Sequence, residues 1–202
     1  MNAMILSLAL AAVVSPASED AQIAGAEAAL AGKDVSHALA LAGARAKSEK
    51  GALVLVLDDG RSIRLGEGCK PTEEEPCPSY ALAAFLPSRG VFVVEKTEVE
   101  SYDFILIEMA NGKQHTIDGP PHFSPDGKRF LTCRVDEMNG GGSTMWRIAP
   151  GRYVQEWKDE RMSVCGRWKD NDAVEIGVYE AEPSGKPRAM TLAHKGDAWQ
   201  LK

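Results

Sequence analysis

From Gly51 to the C-terminus the chain keeps one rhythm: apolar and polar residues alternate in twos, and turn signals break the alternation every eight to twelve residues. A period of two lines one face of a strand and no face of a helix. Residues 51–202 must therefore fold as a succession of short antiparallel strands that each bury one side, and the expected class is all-β.

The turns sort these strands into groups. Asp58-Asp59-Gly60 joins Ala52–Leu57 to Arg61–Leu65 as a hairpin. Then come three four-stranded antiparallel meanders. The first holds Tyr80–Leu86, Val91–Lys96, Tyr102–Glu108 and Lys113–Ile117; the second Pro121–Ser124, Arg129–Val135, Thr144–Ala149 and Arg152–Trp157; the third Met162–Trp168, Ala173–Glu180, Arg188–Ala193 and Ala198–Leu201. An aromatic ends the first strand of each, at Phe85, Phe123 and Trp168, with spacings of 38 and 45 residues. Periods of this size with four strands per unit mark β-propeller blades. The expectation is a small propeller-like repeat of about three blades plus the N-terminal hairpin; the alternative is a β-sandwich.

Phe123-Ser124-Pro125-Asp126-Gly127-Lys128-Arg129-Phe130, an apolar strand, a Gly-rich loop and then Met145-Trp146-Arg147-Ile148 together resemble the repeat of TolB-type and related WD-like β-propellers. In that family the Ser-Pro-Asp-Gly turn joins the innermost strand of a blade to the next, and the resemblance implies a propeller used to bind other proteins. The physics of the turn agrees. Pro125 presets φ, Asp126 bonds the local backbone, and Gly127 takes the positive φ that closes a tight hairpin. Propellers close with four to eight blades, so a chain with three blades and a hairpin leaves ring closure open.

Ahead of this domain, Met4–Val14 is an uncharged apolar run too short to span a bilayer, followed by Ser15-Pro16-Ala17 and the polar Ser18-Glu19-Asp20. That order reads as a signal peptide cleaved after Ala17, which places the mature protein in the periplasm or outside the cell with no membrane span. Residues 18–50 are Ala-rich and helical by propensity, as a docked helical pair or a tether. Asp34 is placed to cap a second short helix running through Ala46, with Arg45, Lys47 and Lys50 at its end. The net charge of −6 carries no basic block, which disfavours nucleic acid and anionic membrane surfaces as partners.

All four cysteines, Cys69, Cys77, Cys133 and Cys165, follow the leader, and an even count in an exported chain favours pairing. Three connectivities are open. A Cys69–Cys77 bridge would pin the Pro-rich acidic loop between them, which leaves Cys133 with Cys165.

Chemistry-bearing motifs are sparse. Among the histidines His37, His115, His122 and His194, only His115 and His122, which bracket Asp118-Gly119-Pro120, offer a conceivable metal cluster with Asp118, and surface imidazoles beside a turn are the simpler reading. No Gly-x-Ser-x-Gly elbow occurs, and Gly140-Gly141-Gly142 leads into a strand, where a phosphate cradle needs a helix. No metal and no cofactor is expected. Asp136-Glu137-Met138-Asn139 lacks the ligand order of a calcium loop and reads as a solvated loop. Trp146, Trp157, Trp168 and Trp199 suit packing between blades, and any that is exposed would suit a partner. The function expected is a non-enzymatic interaction module that binds another exported or envelope protein, inhibitor and immunity-type proteins included. Its candidate contact residues are Asp118, His122, Asp136, Glu137, Asn139 and Trp146. The rival is a periplasmic hydrolase or small-ligand binder that uses the acidic and histidine side chains of blade-top loops.

Overall fold

The structure is a computed structural model, and it describes residues 36–71, 76–99, 101–136, 141–180 and 185–202. A short helix α1 (Ser36–Ala42) leads through a 3-10 turn (Gly43–Arg45) into fifteen strands arranged as four antiparallel sheets. The first sheet holds β1 (Ala46–Glu49), β2 (Ala52–Val56) and β3 (Ser62–Leu65). The second holds β4 (Ser79–Leu86), β5 (Val91–Thr97), β6 (Tyr102–Glu108) and β7 (Gln114–Ile117). The third holds β8 (His122–Phe123), β9 (Arg129–Arg134), β10 (Gly142–Ala149) and β11 (Arg152–Asp159). The fourth holds β12 (Ser163–Asp170), β13 (Ala173–Val178), β14 (Arg188–Lys195) and β15 (Ala198–Leu201). Within each sheet the strands follow chain order, so every sheet is a meander.

The sheets stack face to face because each is apolar on the sides its neighbours cover. Three apolar clusters occupy the three gaps between successive sheets. The first joins Leu53, Leu55 and Leu65 to Phe85, Phe92 and Ile107, with Ala38 and Ala42 of α1 closing one side. The second joins Leu86, Val93, Phe104 and Leu106 to Phe130. The third joins Leu131 and Met145 to Val174, Ile176, Leu192 and Trp199. Phe92, Phe104 and Phe130 are fully buried, and each such side chain contributes about 1.5–3 kcal/mol of transfer free energy. None of the three clusters contains residues of both the first and the last sheet, so the described residues form an arc of propeller-like blades.

The repeat read from the aromatics is present in the coordinates. Phe85 pairs with Phe92 and Phe123 with Phe130, each pair with ring centroids 5.5 Å apart, and Trp168 pairs with Val174. Each of the three lies on the first strand of its sheet and packs toward the preceding one. Gly127 closes the β8–β9 hairpin at φ 67°, donating its N–H to the Ser124 carbonyl at 2.8 Å. The four successive sheets are not the two facing layers of a sandwich.

One expectation is corrected. The second helix was expected to run through Ala46, but α1 ends at Ala42 and Ala46–Glu49 forms β1, paired with β2. Gly43, at φ 54°, ends the helix, and the open edge of β2 then offers four residues of backbone pairing. That pairing outweighs a helical preference worth only tenths of a kcal/mol per residue. The N-terminal hairpin thus becomes a three-stranded sheet. The leader and most of the Ala-rich segment lie outside the described residues.

Candidate functional site

Strand direction places the ends of all four sheets on two rims. One rim carries the tight turns, at 58–60, 87–90, 124–128 and 171–172, which lock onto one another. The Arg89 guanidinium sits 4.1 Å over the Phe123 ring, and Asp126 N–H donates to Asn171 Oδ1 at 3.0 Å. The other rim carries the longer connections, and of the described candidate residues Asp118 and Asp136 fall there.

There Asp118 follows β7, and its carboxylate accepts from Thr132 Oγ1 at 2.5 Å and Thr144 Oγ1 at 2.8 Å. Trp146 donates its indole N–H to Thr132 Oγ1 at 3.3 Å and packs against the second cluster. Asp118 and Trp146 are thus brought together, through two buried threonines of β9 and β10, in a network that ties the β7–β8 connection to the third sheet. His122 lies on β8, where its carbonyl accepts from Trp168 Nε1 at 3.1 Å. Asp136 is separate: Arg134 Nη2 donates to it at 2.7 Å, and that guanidinium lies 4.8 Å over the Tyr102 ring. Glu137 and Asn139 lie outside the described residues. His115 is turned to the gap between the second and third sheets, its Nε2 2.9 Å from Glu108 Oε1 and its ring edge-on to Tyr153. Burial would raise the Glu108 carboxyl, but bonds from His115 and Asn111 outweigh it and hold the group below the usual glutamate range. The same burial pushes the Tyr153 hydroxyl up to about 12. Among the described residues no three His, Cys, Asp or Glu side chains gather as a metal site.

The remaining tryptophans, Trp157, Trp168 and Trp199, all pack into the third cluster. That gap also holds a carboxylate with three donors. Glu156 accepts from Arg129 Nε and Arg147 Nε, each at 2.8 Å, and from Trp199 Nε1 at 3.0 Å. Burial alone would raise its pKa; the donors from Trp199, Arg129 and Arg147 outweigh that and lower it. Both disulfides form as read from the sequence. Cys69–Cys77 closes the loop between the first two sheets, and Cys133–Cys165 bridges β9 and β12 across the third gap.

A further cavity lies away from the candidate contact residues Asp118, His122, Asp136 and Trp146. It is a groove of about 430 Å³ on the outward face of the last sheet. Inward positions of β13 and β14, Val174, Ile176, Val178 and Leu192, fill the third cluster, so the alternate positions Glu175, Gly177, Ala189 and Thr191 turn outward. Val164 and Pro187 lean together over Gly177: a Cβ added there would lie 2.8 Å from Val164 Cγ2 and 3.0 Å from Pro187 Cβ. Beside this apolar patch a polar bridge crosses three strands, with Lys169 Nζ donating to Thr191 Oγ1 at 3.0 Å and lying 3.7 Å from Glu175. Lys202 completes the lining. Val164 is 39% exposed, whereas Val54 on the outward face of the first sheet is 2% exposed. The sequence signal for this face was small residues at the outward positions Ala173, Gly177, Ala189, Thr191 and Ala193, interrupted by Glu175 and Lys195, but alternation alone does not tell a covered face from an open one.

No family model and no curated protein matches the sequence. Two solved structures show a likeness in shape. TolB from Acinetobacter baumannii aligns over 74% of this chain and 36% of its own, at 16% identity and a TM-score of 0.39. A protein assigned as a 6-phosphogluconolactonase from Bacteroides uniformis aligns over 78% of this chain and 51% of its own, at 14% identity and a TM-score of 0.39. The chain therefore spans about a third of the first and half of the second. The blade architecture described above stands on the strand pairing and the filled gaps themselves. No helix among the described residues is long and apolar enough to cross a membrane.

Proposed function

We propose that this protein is exported and acts as a non-enzymatic interaction module, with the outward face of the last sheet as its contact surface. Inhibitor and immunity-type proteins fall within this reading. Export is supported by the apolar leader ending at Ala17 and by two disulfides, a combination suited to an oxidising compartment. The observation that carries the binding role is the groove beside Val164: sheet covers sheet in three successive gaps, and among the described residues no element covers this face with its shaped depression. A hydrolase reading is disfavoured by geometry, since the carboxylates of Asp118 and Asp136 are each committed to internal donors and lie apart from the groove.

Capture from envelope extract tests the proposal. Wild-type protein is expected to retain a specific partner that Val164→Glu loses, with the melting temperature of the variant unchanged. Turnover of a glycan, peptide or ester substrate that disappears when His122 or Asp118 is replaced would overturn it.

A further inference from the structure

The charge around the groove says what kind of segment it takes. The protein carries a net charge of −6, yet two side-chain ammonium groups, those of Lys169 and Lys202, edge the groove beside one side-chain carboxylate, that of Glu175. Lys195 and Lys202, on β14 and just after β15, share the outward side with Thr191, so this face gathers a third lysine beside the groove. At the other end of the groove, Val164, Pro187 and Ala189 present a small apolar surface over Gly177. Apolar and cationic ends share one sheet face, and an extended chain sets every second side chain on one face.

We infer that the groove's occupant is an extended segment of a partner protein that carries apolar and acidic side chains on the same face. The apolar group docks on Val164 and Pro187, and the carboxylate meets Lys202 and Lys169. This rests on the interaction-module reading and adds to it the chemistry of the partner. Solvent-exposed charge pairs are screened, so the segment is selected by charge sign and anchored by its apolar side chain.

The test uses the mature full chain and two labelled synthetic peptides, followed by fluorescence anisotropy at low salt. In one peptide valine and aspartate occupy successive positions of one strand face with serine between them; in its twin lysine replaces aspartate. The acidic peptide is expected to bind about tenfold or more tighter than the twin, a preference that falls with added salt. In a Lys169→Glu, Lys202→Glu variant the preference should reverse, and in Val164→Glu the acidic peptide should lose binding. Equal binding of the two peptides, tighter binding of the lysine twin, or binding of neither overturns the inference. If neither binds while Val164→Glu still abolishes partner capture, the inference fails and the interaction-module reading survives. If capture is also indifferent to Val164, both fall.

Discussion

The second and third inter-sheet gaps are built from different materials. Between the second and third sheets the filling is aliphatic and aromatic: Leu86, Val93, Phe104, Leu106 and Phe130, with Phe123, Trp146 and Tyr153 closing the margins. Arg134 reaches Asp103 across that gap, and between the third and fourth sheets the cluster is edged by further linkages. These are the Cys133–Cys165 bridge, the buried hydrogen bond between the Ser143 and Ser163 hydroxyls, and Glu156 on the third sheet bonded to Trp199 on the fourth. The second and third sheets are apolar on both faces, whereas the fourth is apolar on one face and carries Glu175, Thr191 and Gly177 on the other. An end sheet with one dry face gains less from burial, and the covalent bridge across the third gap offsets part of that.

The largest expected effect is at the centre of the apolar gap. Phe130 is fully buried against Phe123, Trp146 and Tyr153, and Phe130→Ala should cost about 3–5 kcal/mol in urea unfolding. A loss below 1 kcal/mol would mean that this gap is not the firmer of the two. Next come the bridges, which separate a link across sheets from a link within a loop. Removing Cys133 and Cys165 together opens a 32-residue span, against 8 for Cys69 and Cys77. From loop length the costs are about 4 and about 2.5 kcal/mol. If differential scanning calorimetry reversed that order, the fourth sheet would not depend on its staple.

Glu156→Gln should cost about 2 kcal/mol near neutral pH, because it weakens bonds to two guanidinium groups and an indole in a side chain only 17% exposed. The folded pKa of Glu156 is depressed, so its stabilisation is fully present above the unfolded value of about 4.3 and is lost as pH falls through the folded value. Wild-type and variant unfolding curves should therefore converge in acid; a gap constant from pH 7 to pH 3 would remove the charge from the account. The smallest effect is expected on the open face. Val164→Thr should change stability by less than about 0.5 kcal/mol, while Val93→Thr, in the second gap and fully buried, should cost about 1–3 kcal/mol for its buried hydroxyl. Equal losses would show that the last face is covered in the isolated protein.

Much of this fold was legible along the chain because strands, tight turns and paired cysteines are specified locally. Tyr102–Glu108 and Ala198–Leu201 form over the residues read from alternation, and most other strands differ by one or two positions at an end. The Ser124–Gly127 turn is closed by its own residues: Ser124 Oγ donates to Asp126 at 2.8 Å and Gly127 takes the positive φ. Far less of the site was legible. Asp118 and Trp146 were singled out separately, and only the fold joins them through Thr132 and Thr144, residues with no signature of their own.

That this chain is a run of meanders, where each turns, and which cysteines have reason to pair can all be read along it, since those outcomes depend on neighbours in the chain and on a period of two. Tertiary structure alone decided the rest. Ala46–Glu49 joined a sheet because β2 had an open edge. Glu156 became the hub of the third gap because partners 27 and 43 residues away arrive beside it. The face bearing Val164 became a groove because Val164 and Pro187 lean together over Gly177 while the alternate positions of β13 and β14 fill the third gap.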